Sequence, residues 1–270
     1  MAKRETHCKE LLELIDGFVA TGDAEKLITY LIGQSNLPSP RANLELAWAF
    51  GDALQISAQR PGLWTLCEQM VAVSVEQAPV NSPEEFVPCC GAIGIGAVGA
   101  TLPQRFDAAM LMLRSLAKDS RWRVREGVCF GLQRLLAERP QDTLHSLEQW
   151  TTGADPLEMR AVVAAVADPP LLKDPAIAVA ALELHHAVMQ QMQQTPERGS
   201  AAFKTLRQGL GYTLSVVVQA LPQDGFEYLA QLAVSPDKDV QWIVRQNLQK
   251  ARLVKRFPQQ VQALLGTEAA

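Results

Sequence analysis

The chain has 270 residues, 48% of them hydrophobic, 20% charged and 6% aromatic, with 25 Lys and Arg against 29 Asp and Glu and a net charge of -4. That apolar content excludes a disordered chain, and 17 Gly with 16 Pro exclude a collagen-like or low-complexity one. The mildly acidic balance excludes a general polyanion binder and leaves room for a local basic patch.

The opening residues, Met1 to Glu13, alternate charges and lack the apolar run of a signal peptide. Helical periodicity predicts helices near 4–20 and 24–34. It predicts a third over 40–59, with Ser39 as N-cap and Pro40 at the first helical position. Residues 34–46 form a polar, proline-stiffened approach to that helix, where Arg41, Asn43 and Glu45 either face a partner or cap and solvate the helix start. Further helices are expected over 62–77, 84–100, 103–118, 121–138, 141–152, 156–167, 175–194, 199–220, 224–234 and 239–256, separated by short breaks at prolines. No stretch alternates as a strand does.

Phe86 to Gln104 runs without a charge, long enough to test as a membrane span. Gly91, Gly94, Gly96 and Gly99 lower its bulky apolar content, so the segment reads as buried helix inside a soluble protein with no membrane partner. Gly94-Ile-Gly96-Ala-Val-Gly99 spells a dinucleotide fingerprint but lacks the preceding strand and the acid about 20 residues on. Its glycines are expected to let two helices approach closely.

The cysteines, Cys8, Cys67, Cys89, Cys90 and Cys129, are odd in number and lack Cys-x-x-Cys spacing. They are expected to be reduced and mostly buried, in a cytoplasmic protein without a metal site. His7, His145, His185 and His186 do not have metal-ligand spacing, and Ser115-Leu-Ala-Lys118 stands without the rest of any acyl-transfer signature. No phosphate loop or nucleophile elbow occurs, so the pattern implies no cofactor and points away from an enzyme.

One motif repeats. Asp119-Ser-Arg-Trp122-Arg-Val124-Arg125 aligns with Asp239-Val-Gln-Trp242-Ile-Val244-Arg245, each opening a helix, with a degenerate copy at Asp155 to Arg160. In this reading the Asp caps the helix, the Val enters the core, and the Arg reaches an Asp of a neighbouring unit. Asp-x-x-x-x-Val-Arg at a helix start resembles the HEAT repeat, and the chain as a whole is loosely similar to the HEAT-like alkylpurine-DNA glycosylases. The first resemblance implies an all-α, right-handed α-α superhelix, here a single domain over 1–270, acting as a scaffold that binds another protein. The second implies a nucleic-acid-binding or alkylated-base repair protein. That group places a Trp one turn before a carboxylate, for which Glu126 after Trp122 is the weak catalytic candidate here, while Trp242 is followed by Gln246.

Residues 114–125 and 237–256 each carry a net +4, leaving -12 on the remainder. The candidate binding residues are therefore Arg121, Trp122, Arg123, Arg125, Trp242, Arg245, Arg252 and Arg256. On the wheel of a continuous helix 239–256, Val240, Ile243, Val244, Leu248, Ala251 and Val254 face the core, while Arg245, Gln249, Arg252 and Arg256 form a polar stripe suited to a solvated terminal repeat. Two tryptophans at one repeat position are expected to wedge between units; stacking on a base is the functional alternative.

Overall fold

The computed structural model describes residues 2–153 and 155–266. The expected all-α class is what it shows, and no strand occurs among the described residues. The chain divides into two compact units, Met1–Arg139 and Pro140–Ala270. The first contains α1 (Ala2–Thr21), α2 (Glu25–Gly33), α3 (Leu44–Ser57), α4 (Leu63–Val71), α5 (Phe86–Thr101), α6 (Phe106–Leu116) and α7 (Trp122–Glu138). The second contains α8 (Pro140–Thr151), α9 (Pro156–Val166), α10 (Pro175–Gln194), α11 (Ala201–Ala220), α12 (Pro222–Ala233), α13 (Lys238–Leu248), α14 (Ala251–Val254) and α15 (Pro258–Gly266).

Every second helix stacks on the next. In the first unit α1 packs on α3, α3 on α5 and α5 on α7; in the second α9 packs on α11 and α11 on α13. The intervening helices join these by short connections and cover them, which is the layering of a helical-repeat array.

Helix α5 is the centre of the first unit. Every residue from Phe86 to Ala100 is buried, and Pro88 sits in the first turn, where its missing N–H costs no helical bond. The glycines bring backbones together. A Cβ on Gly96 would lie 2.3 Å from Gly131 Cα, and one on Gly127 would lie 2.4 Å from the carbonyl oxygen of Cys89. The fingerprint glycines are thus part of a helix crossing, as their missing strand implied.

Four local expectations are corrected. The third helix starts at Leu44, not Pro40, because Asn43 rather than Ser39 accepts the capping bond, from Leu46 N. Ser39 is spent inside the preceding loop, accepting from Arg41 N and donating to Arg41 O. The helix expected over 62–77 ends at Val71, and the chain beyond it presents the Val73 and Ser74 carbonyls to Arg121. Asp119 does not cap α7: it accepts from Arg121 N and binds the Arg121 guanidinium through both oxygens. In the second copy the cap is Asp237, while Asp155 caps α9 as its motif suggested.

The last correction concerns 239–256, which is two helices. Asn247 is fully buried; its Nδ2 donates to Leu210 O and Ile243 O, and its Oδ1 accepts from Ser215 N. These bonds anchor the end of α13 to α11. Lys250 then takes an extended backbone and α14 begins in a new direction. Ala251 and Val254, expected in the core, are exposed, and Leu253 is buried in their place.

Candidate partner-binding surfaces

The arginines at the start of α7 point inward. Arg121 is 3% exposed and fills its hydrogen bonds with Asp119 and the Val73 and Ser74 carbonyls. Arg123 is 1% exposed; it donates to Glu85 at 2.9 Å, to Ser39 O at 2.7 Å and to Asn81 Oδ1 at 3.1 Å. Both are therefore removed from the expected binding strip. A buried Arg–carboxylate pair of this kind replaces lost hydration with fixed hydrogen bonds. Its place in the fold is clear: through Ser39 O, Arg123 pins the loop before α3.

The other predicted residues scatter. Arg125 donates to the Asp119 and Ser120 carbonyls at the start of its own helix. Glu126 is half-buried on α7. Trp122 is 37% exposed, and the Arg123 guanidinium carbon lies 4.2 Å from its ring centroid. Trp242 is half-buried under Arg207, at 4.6 Å, with its edge against Gly211 of α11. Each indole is thus already stacked by an arginine of its own unit, with the ring quadrupole facing the cation. Arg245 and Arg256 are exposed, and Arg252 is half-buried.

The loop singled out at 34–46 does form a surface. Asn36 has a φ of 62°, the left-handed region that Asn tolerates, and its amide donates to Arg41 O. Asn43 closes the loop from the other side, its amide donating to Gln34 O and its N–H to Ser35 O. This loop, the start of α3 and the first turns of α1 enclose a groove of about 1100 Å³ lined by Lys3, His7, Asn36, Arg41, Asn43 and Glu45. Among the described residues the side chains of Lys3 and Arg41 have no ion-pair or hydrogen-bond partner.

His7 enters the groove with a defined hydrogen-bonding sense. The Tyr30 hydroxyl donates its single proton to Glu10, so the His7 Nδ1 at 2.7 Å carries the hydrogen that Tyr30 accepts. Burial, then the Glu10 carboxylate, pushes the Tyr30 phenol well above its usual range, which keeps that proton in place. In the neutral ring Nε2 is left as an acceptor.

Beside the groove, Asp52 receives Arg4 at 2.7 Å and Arg134 at 3.1 Å. Burial pushes the Asp52 carboxyl up, but the two arginines outweigh it and hold it below the usual carboxylate range. Arg134 lies directly against Gly51, where a Cβ would fall 2.3 Å from its guanidinium. Sequence reasoning missed Arg4, Asp52, Glu85 and Arg134. The available signal was a charge inside an apolar stripe, as Asp52 lies between Gly51 and Ala53 and Arg134 beside Leu135.

No metal-holding group of three or more His, Cys, Asp or Glu occurs among the described residues, and no described helix is long and apolar enough to cross a membrane. Cys67, Cys89 and Cys90 are free and buried; burial pushes all three thiols up, Cys67 to about 12. No protein-family model and no curated protein matches the chain. Among solved structures it is similar to an engineered protein at 13% identity, covering 94% of this chain and 97% of that one with a TM-score of 0.37. It is also similar to a designed armadillo repeat protein at 15% identity, covering 82% and 98%, with a TM-score of 0.30. Identities and scores this low assign no function.

Proposed function

We propose that the protein is a non-enzymatic helical-repeat scaffold that binds another protein, and that the groove at the start of α3 receives a segment of that partner. The observation that carries this reading is the groove itself: a loop held from behind by Arg123, with unpartnered Lys3 and Arg41 in front. Its lining offers cations, the Glu45 carboxylate, the amides of Asn36 and Asn43 and the acceptor Nε2 of His7. Such a mixed set matches a peptide, which presents both charges and backbone donors and acceptors. The HEAT-like solenoid over 1–270, the absence of a cofactor and a cytoplasmic location belong to the same proposal.

The alternative, a nucleic-acid-binding or glycosylase-like protein, needs accessible cations and an open aromatic face at the helix starts. Burial of Arg121 and Arg123, and the arginines stacked on Trp122 and Trp242, argue against it.

The test is site-specific photo-crosslinking of the full chain in cells that produce it. A benzophenone side chain in place of Arg41 is expected to give one recurring protein adduct, lost when Lys3→Glu is added. The same probe in place of the exposed Leu111 on α6 is expected to give none. Equal labelling from both positions, or no adduct from position 41, overturns the reading.

A further inference from the structure

The break in the expected last helix creates a second surface, within the C-terminal unit. From Val240 to Gly266 the chain has five cations, Arg245, Lys250, Arg252, Lys255 and Arg256, and no Asp or Glu. A continuous helix would have carried Arg252 away along its own stripe. Because α14 instead starts afresh after Lys250 and packs on α11, Arg252 meets Tyr212: its guanidinium donates to the phenol oxygen at 2.6 Å and lies 4.7 Å from the ring centroid. Lys250 Nζ lies 5.7 Å from the same ring. Tyr212 is 50% exposed and Val254, between Arg252 and Lys255, is 43% exposed. Gln208 and Lys204, one and two turns before Tyr212 on α11, are also exposed and extend the same helix face.

The carboxylates nearest in sequence are already engaged elsewhere. Asp237 holds Arg198, and Asp239 holds Arg198 and Arg207. Among the described residues none of the five cations has a carboxylate partner. The result is a run of cations without carboxylate partners, two of which, Lys250 and Arg252, gather at the half-exposed Tyr212, with Arg252 held there by the phenol.

We propose that this face, formed by Tyr212, Lys250 and Arg252 with Lys255 and Arg256 one turn on from Arg252, docks a short acidic protein segment in which Asp or Glu alternates with apolar residues. Charge complementarity names the acidic part, because the cations attract and orient carboxylates. Tyr212 names the apolar part, because half of it stays exposed beside the cations at its ring, and phosphate backbones offer nothing to that remaining apolar edge. Two observations favour a short protein segment over a nucleic acid. The Tyr212 ring is already covered by Arg252 and Lys250, so it is not a free platform for a base. The residues outside 240–266 total -9, which repels a long polyanion running past the patch. This surface lies in a different unit from the groove, so either proposal can fail without the other.

The test is fluorescence anisotropy on the full chain with three labelled probes of equal length: a peptide of repeated Asp-Leu-Glu-Phe, polyglutamate and oligothymidylate. The acidic–apolar peptide is expected to bind saturably, more tightly than polyglutamate by about tenfold and more tightly than the oligonucleotide, with affinity falling as salt rises. Arg252→Glu with Arg256→Glu is expected to weaken the peptide at least about tenfold. Tyr212→Ser, which leaves every charge in place, should weaken it about threefold. Unchanged helical circular dichroism serves as the folding control for both variants. Absence of saturable peptide binding, tighter binding of oligothymidylate, equal binding of polyglutamate, or an undiminished affinity in the double charge reversal overturns the proposal.

Discussion

The starts of α7 and α13 carry the same motif and use it differently. In α7 the positions flanking Trp122 are Arg121 and Arg123, and both are buried. In α13 the matching positions are Gln241, half-buried, and Ile243, which is fully buried. Five residues after the tryptophan, α7 has Gly127 in backbone contact with α5, whereas α13 has Asn247 in side-chain bonds to α11. The first helix joins its neighbour through an ion pair and small residues; the second does so through a buried amide. One repeat position therefore specifies a helix start but not its chemistry, because the neighbour against which it packs decides whether a charge, a void or an amide is needed there.

The comparison can be broken most forcefully at Arg123. Arg123→Met should destabilise the first unit by about 3–5 kcal/mol, because it strands Glu85 without its cation, whereas Ile243→Val at the equivalent place should cost only about 1 kcal/mol. Chemical denaturation of the two variants side by side checks this, and equal losses would show that the ion pair is not what holds the α7 start.

Next in size is a pH effect specific to the second unit. His185 is fully buried, its Nδ1 donating to Ala181 O at 2.7 Å and its Nε2 accepting from Thr213 at 2.9 Å. Burial lowers its pKa from 6.5 to about 4. The unfolded chain therefore binds a proton that the folded chain excludes over this window, so stability is intact above pH 6.5 and falls as pH drops towards 4, by up to about 3 kcal/mol. Thermal melts across that range should fall, and His185→Gln should flatten the decline. A decline of the same steepness in the variant would assign it to other groups.

Gly127→Ala and Asn247→Ala probe the two helix junctions directly. The added methyl in the first meets the Cys89 carbonyl and should cost about 3 kcal/mol. The second leaves Leu210 O and Ser215 N without the amide and should cost about 2 kcal/mol. Urea midpoints reporting no loss for Gly127→Ala would mean that α5 and α7 can separate freely. The smallest effect is expected at Arg256→Ala: an exposed cation without a carboxylate partner should change stability by no more than about 0.5 kcal/mol. A larger loss in the same urea titration would show that the C-terminal basic face is structural.

The periodicity of apolar residues, the prolines and the missing strand signals were enough to state an all-α chain with near-correct helix positions. The glycine run was legible as close packing, and 34–46 was legible as a segment with two alternative uses. The arginines were not legible. Arg121, Arg123 and Arg252 look alike in sequence, yet the first two are enclosed with carbonyls and carboxylates while the third lies on a tyrosine at the surface. Local pattern sets where a helix forms, because its period and punctuation lie within one segment. Whether a charge on that helix is buried or presented depends on groups far away in the chain, such as Glu85 and Tyr212, and only the tertiary structure brings those partners into reach.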